Sequence, residues 1–310
     1  MNKRKYIIDT DTASDDAVAL VMALRSDLDI LAITCTAGNL SLAKTTRNAR
    51  LSCTFADTYT PPIYAGSDRP LVKTLVVGEN VHGSDGLGDM FYPEPDIQLE
   101  KGHAVDAILE IARTHEDVGL ITLGPLTNVA MAILLDPIAM RKITHIIAMG
   151  GQYRMTNGCT ANAEFNIWVD GEAAKIVLES GIPITMVPLD VCYGEAEITA
   201  EDRAYLKNLK TARGDFFVDC NRHLLAYNQR SYNKDIISMP DPTAMAVAID
   251  PSIVTGSVDV YTRIELRSPL SYGQLIYDFY DRHKKPANVR LITRIDAQKF
   301  KQLVFKCAEE

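Results

Sequence analysis

The chain has 310 residues, 47% of them hydrophobic and 23% charged, with a net charge of -8. That length buries a sizeable core as one large α/β domain or two modest ones, and the acidic balance argues against a nucleic-acid partner, which needs clustered Lys and Arg to neutralise phosphates. No stretch approaches the ~20 apolar residues of a membrane span, and the apolar run after the basic start is only Tyr6-Ile7-Ile8, too short for a secretion signal, so a soluble cytoplasmic protein with no membrane partner is expected.

In chain order, residues 6–9 read as a strand and 15–24 as a helix, with apolar side chains at 17, 18, 20, 21 and 24. A strand over 30–35, helices over 42–55 and 104–114, a strand over 120–123, a helix over 126–135 and a strand over 143–149 follow. A helix over 171–179 and a strand over 184–187 complete the alternation. Such β–α alternation predicts an α/β protein with a mostly parallel sheet covered by helices. Beyond Asp190 the pattern shifts to helices over 200–209, 215–227 and 243–249 and strands over 258–266 and 289–295. No repeat or Pro/Ser-rich linker divides the chain, so a single domain over 1–310 is expected. Cys35, Cys53, Cys159, Cys192, Cys220 and Cys307 form no C-x-x-C pair, which weakens zinc and dithiol readings and predicts reduced core thiols for most of them.

The strongest local signal is Asp9-Thr10-Asp11-Thr12-Ala13-Ser14-Asp15-Asp16, four carboxylates directly after the first strand. In an open α/β sheet, ligands bind at the carboxyl ends of the strands. Asp9 and Asp11 lie two apart, on one side of an extended chain. Ser14 is the predicted N-cap of the helix that follows, with Asp15 and Asp16 in its favourably polarised first turn. Capping and solvation account for one or two of these carboxylates. Four on one strand end repel unless a cation or proton intervenes, and all-oxygen ligation selects Ca²⁺ or Mg²⁺ over zinc.

The run Asp9-Thr-Asp11-x-x-x-Asp15-Asp16-Ala17 resembles the signature of the inosine-uridine-preferring nucleoside hydrolases. Further pieces resemble the same family in the same order: Ala37-Gly38-Asn39, Asn80-Val81-His82-Gly83, Leu123-Gly124-Pro125-Leu126-Thr127-Asn128, Met149-Gly150-Gly151, Ala163-Glu164-Phe165-Asn166-Ile167 and Asp241-Pro242-Thr243. The resemblance implies an open, mostly parallel Rossmann-like sheet flanked by helices, and hydrolysis of the N-glycosidic bond of ribonucleosides. It implies a bound Ca²⁺ held by Asp11, Asp16, the Leu123 carbonyl and Asp241, with Asp15 as general base on the attacking water and inversion at the anomeric carbon. Asn39, Glu164 and Asn166 would hold ribose hydroxyls, joined by Asn157 or Asn162, between which the loop spacing does not choose. His82 is a candidate catalytic contact to the base. A small ribonucleoside is the implied partner, and a homodimer or homotetramer the implied assembly.

Each piece also has a plainer use. Asn39 suits the turn after Gly38, Pro125 the first turn of a helix, and Glu164 and Asn166 an edge strand. Trp168, the only tryptophan, reads as core rather than as a platform for the base. The stretch around 213–235, with Phe216, Phe217, Tyr227 and Tyr232, reads either as a mobile helical lid that places a tyrosine on the base or as ordinary helix packing. Two other functions compete. A Mg²⁺ phosphatase would use Asp9-x-Asp11, but that family wants Thr or Val where Ala13 stands. A non-catalytic ribose-binding protein would show affinity without turnover. One departure stands out: many relatives carry His directly before the late Asp, and here that position is Pro240. Proline has no N–H and no titratable group, so a leaving base must find its proton at His82, at a lid tyrosine such as Tyr227 or in solvent, or depart as an anion. Activated aryl ribosides are therefore expected to outpace inosine.

Overall fold

The computed structural model describes residues 3–155 and 158–309. Its strands are β1 (Lys5–Thr10), β2 (Asp29–Cys35), β3 (Ile63–Ala65), β4 (Val118–Thr122), β5 (Ile146–Met149), β6 (Ile184–Val187), β7 (Val254–Val260), β8 (Thr262–Ile264), β9 (Leu275–Tyr277) and β10 (Val289–Ile295). Eight of them form one sheet in the order β3-β2-β1-β4-β5-β6-β10-β7, and β8 pairs with β9 in a separate ribbon. Neighbours run parallel except β7, which lies antiparallel to β10. The order runs outward in both directions from β1 and β4, so the strand order reverses there, and in such sheets the reversal opens a crevice for ligands.

The helices are α1 (Ser14–Leu24), α2 (Leu42–Ala56), α3 (Glu79–His82), α4 (Ala104–Thr114), α5 (Thr127–Leu135), α6 (Pro137–Met140), α7 (Phe165–Val169), α8 (Gly171–Leu178), α9 (Ala200–Asn208), α10 (Ala212–Asp219), α11 (Arg222–Tyr232), α12 (Pro240–Ile249) and α13 (Ala297–Ala308). Successive strand residues face opposite sides, and β1 shows it: Ile7 and Ile8, both fully buried, enter two different cores. Ile7 packs with α4, α5 and α8, and Ile8 with α1, α2, α12 and α13. Every residue of α1 is buried, as expected of a helix that is apolar almost all round. Its carboxylates are thereby carried into the interior.

Several elements depart from the sequence expectations. Ala13, not Ser14, is the N-cap of α1, and the Asp16 carboxylate reaches back 2.9 Å to accept from the Ala13 N–H. This frees the Ser14 hydroxyl for another partner. The late helix begins at Pro240, so Asp241 lies in its first turn, because proline suits the first helical position. The strand expected over 258–266 is split between β7 and β8, and the helix expected over 215–227 is split between α10 and α11. Within the stretch 213–235, read as either a lid or ordinary packing, Phe216 and Phe217 are fully buried, with Phe216 stacked on Phe55 at 3.9 Å. That half is core, and the lid description fits at most α11. Among the described residues no helix is long and apolar enough to cross a membrane. Five of the cysteines are buried, Cys159 is exposed, and all six are free thiols.

Candidate active site

A cleft of about 300 Å³ opens over the carboxyl edge of the sheet. Residues that close or follow five strands line it: Asp15 beyond β1, Asn39 beyond β2, Leu123 beyond β4, Met149 ending β5 and Leu189 beyond β6. Beneath it Asp11, Asp15, Asp16 and Asp241 are all buried. Carboxylate oxygens of Asp15, Asp16 and Asp241 lie within 4.8 Å of one another. Two full charges at that distance repel by about 3–4 kcal/mol even at an effective dielectric of about 20. Burial pushes the Asp16 carboxyl up to about 6, and burial together with its acidic neighbours pushes Asp11 and Asp241 well above the ordinary range. Burial likewise raises Asp15.

The surrounding chain is shaped to hold these groups. Gly38 and Gly124 leave room for Asp11, since a Cβ on either would lie 2.1 Å from Asp11 Oδ2 or 2.6 Å from Asp11 Oδ1. The Asn39 N–H donates to Asp11 Oδ2 at 2.5 Å, while Asp11 Oδ1 is buried with no hydrogen-bond partner. Thr10 Oγ1 donates to Asp16 Oδ1 at 2.6 Å. The cluster thus has one orphaned buried oxygen, an excess of negative charge and oxygen donors only. That donor set fits a hard cation.

Asp9 sits apart from this group. Its Oδ1 accepts from Thr34 Oγ1 at 2.6 Å and Asn128 Nδ2 at 2.8 Å, and the residue does not line the cleft. Burial raises its carboxyl to about 7. A phosphatase would need Asp9 as an exposed nucleophile, and here it is fully buried. Asn128 ties β1 to β2 through Asp9 and the Cys35 carbonyl, a role its place in the Leu123–Asn128 run does not reveal.

The residues expected to hold the ribose come from the loop after β2 and the start of α7. Asn39, Glu164 and Asn166 all line the cleft. Glu164 and Asn166 do not lie on a strand: Glu164 caps α7, accepting from the Asn166 N–H at 2.8 Å and the Ile167 N–H at 3.3 Å, and also from Gly151 N–H at 3.0 Å. Burial still raises its carboxyl to about 7. Asn166 Nδ2 donates to the Leu123 carbonyl at 2.8 Å, which leaves that oxygen a second lone pair. Asn162 is not brought in; its amide is turned onto the Leu270 carbonyl at 2.9 Å. Asn157 lies outside the described residues.

The remaining lining includes Tyr193, Tyr227, Tyr232, Asn228, Ser238 and Pro240 beside apolar groups such as Val76, Val77, Val81 and Leu224. Tyr227 and Tyr232 meet edge to face at 6.0 Å. Trp168 does not line the cleft; the Lys73 ammonium covers its ring at 3.1 Å from the centroid. Sequence reasoning missed Tyr193, Asn228 and Ser238. Tyr193 lay within reach of the strand-end rule, because it follows β6 closely; Asn228 and Ser238 carry no motif.

His82 Nδ1 lies 2.8 Å from Ser14 Oγ and 3.9 Å from Asp15 Oδ1. Burial drives the imidazole down from 6.5 to about 4, so it stays neutral at physiological pH and forms no ion pair with Asp15. A folded-state pKa below the unfolded value means that stability is lost as pH falls from about 6.5 to about 4. His82→Gln is accordingly expected to flatten the Tm–pH curve in that window. An unchanged slope would show that the ring is not held neutral.

Comparison with known proteins places this geometry. The family model described as inosine-uridine preferring nucleoside hydrolase matches residues 6–302. The inosine-uridine preferring nucleoside hydrolase of Crithidia fasciculata is 34% identical over 310 residues, covering 99% of this chain and 98% of that protein. The pyrimidine-specific ribonucleoside hydrolase RihB of Escherichia coli is 33% identical over 309 residues, covering 99% and 97%. The solved structure of a plant nucleoside hydrolase superposes with a TM-score of 0.92 at 27% identity, over 99% of each chain.

Proposed function

The chain belongs to the inosine-uridine preferring nucleoside hydrolase family, and from that premise we propose that it is a calcium-dependent enzyme cleaving ribonucleosides to ribose and free base with inversion at the anomeric carbon. The observation that carries this reading is the group of buried carboxylates, Asp11, Asp15, Asp16 and Asp241, under a cleft lined by Asn39, Glu164 and Asn166. Asp11, Asp16, Asp241 and the Leu123 carbonyl would hold Ca²⁺, with ribose hydroxyls and water completing six to eight oxygens. When bound, the ion offsets the carboxylate repulsion, lowers the pKa of water and orients it.

The chain's own groups supply the rest. Asp15 reaches the cleft surface and takes the proton of the attacking water. Asn39, Asn166 and Glu164 hold the ribose hydroxyls, so that the sugar is gripped while positive character grows at its anomeric carbon. Glu164 is fixed for this by three backbone N–H groups. Water attacks the face opposite the base, which inverts the centre. Asp15→Asn keeps the shape of the side chain and removes its basicity. This variant is expected to retain ribose binding and lose ~10²–10⁴-fold in kcat, measured by steady-state hydrolysis beside ribose titration. A wild-type kcat would reassign the base.

A further inference from the structure

We propose that Tyr193 is a specificity-determining residue: its phenol hydroxyl donates a hydrogen bond to a carbonyl of the leaving base beside the glycosidic nitrogen and stabilises the negative charge that develops there. The inference rests on the ribonucleoside-hydrolase reading and deepens it. In that reading the cleft carboxylates, Asn39 and Asn166 serve the cation and the sugar, and Asn228 Nδ2 donates to the Ile236 carbonyl at 3.0 Å, so the base is met by the wall that carries Tyr193, Tyr227, Tyr232, Ser238 and Pro240. Pro240 has no donor to offer, and only Nδ1 of His82 is engaged among the described residues, by Ser14.

Tyr193 is the tyrosine of that wall that packs against a buried core. It stands between two single-turn helices, Leu189–Val191 and Gly194–Ala196, and its ring packs against the larger core. Tyr227 and Tyr232 are instead carried on α11. Ser238 lies beside Tyr193 in the lining of the cleft, and the two segments are joined just beyond by reciprocal Ile198–Ile237 backbone bonds of 2.8 and 3.0 Å. A phenol oxygen can accept from a neighbouring hydroxyl and still donate its own O–H into the cleft. Burial holds the phenol above its usual pKa, so it donates without surrendering its proton. A donor fixed before charge develops needs no reorganisation when it does.

The step balances without a protonated acid. The water oxygen bonds to the anomeric carbon, and its proton passes to Asp15. The C–N electron pair leaves with the base, which departs as an anion held by the Tyr193 O–H and takes a proton from solvent afterwards. Bases with a carbonyl next to the glycosidic nitrogen profit, whereas an aryl leaving group has no acceptor there.

The test compares uridine with 4-nitrophenyl riboside in wild type, Tyr193→Phe and Ser238→Ala. For Tyr193→Phe, kcat/KM for uridine is expected to fall ~10–100-fold, the value of a hydrogen bond to a charged group, while the aryl riboside changes by no more than about two-fold. Ser238→Ala is expected to move uridine in the same direction by less. Equal losses on both substrates would make Tyr193 merely structural and overturn the proposal, as would unchanged uridine cleavage by Tyr193→Phe. A wild-type enzyme that cleaves neither substrate would overturn the hydrolase reading, and the role of Tyr193 with it.

Discussion

A 2′-deoxynucleoside is expected to be cleaved ~10⁴–10⁵-fold less efficiently than the matching ribonucleoside, measured as kcat/KM. The size of the effect follows from what the missing hydroxyl leaves behind. Asp11 Oδ1 is already a buried oxygen without a partner, and the bound ion would lose one ligand of its shell. Asn39, Glu164 and Asn166 would face a sugar that cannot engage all of them. Buried polar groups left unpaired cost far more than a lost surface contact, and a site built around a hydroxyl rejects the analogue lacking it more strongly than an apolar pocket rejects an extra methylene. Comparable kcat/KM for uridine and 2′-deoxyuridine would refute coordination by the 2′-hydroxyl.

Much of this site was legible in the sequence because it is written in short runs at strand ends. Asp11, Asp15 and Asp16 fall within six residues after an apolar strand, and Asn39 and Leu123 follow two other strands. Helix 104–114 and strands 184–187 and 289–295 coincide with the observed elements because their apolar spacing is unambiguous. Other features depend on contacts between distant residues, which no local pattern records. Glu164 reads as an exposed edge residue until Gly151 is brought against it. Of the two readings open for 213–235, lid or ordinary helix packing, packing describes the first half, where Phe216 finds Phe55 across the fold. By contrast α13 was legible and overlooked. Asp296 caps it, accepting from Gln298 and Lys299 N–H, and Phe300, Val304 and Cys307 are buried at helical spacing. Tyr193 lay outside every motif, although its place just beyond strand 184–187 put it within reach of the strand-end rule.

The central claim is that a divalent cation completes the carboxylate cluster, and metal removal tests it most directly. Without the ion, Asp11, Asp15, Asp16 and Asp241 remain buried together with no cation to offset their repulsion. The measurement is ribonucleoside hydrolysis by chelator-stripped protein, followed by stepwise return of Ca²⁺, with Tm recorded in parallel for wild type and Asp11→Asn. Stripped wild type is expected to lose activity entirely, and Ca²⁺ to restore it and raise Tm, because a ligand bound only by the native state stabilises it. The Asp11→Asn protein is expected to gain neither activity nor Tm from Ca²⁺. Full turnover in excess chelator, with a Tm indifferent to Ca²⁺, would contradict the account.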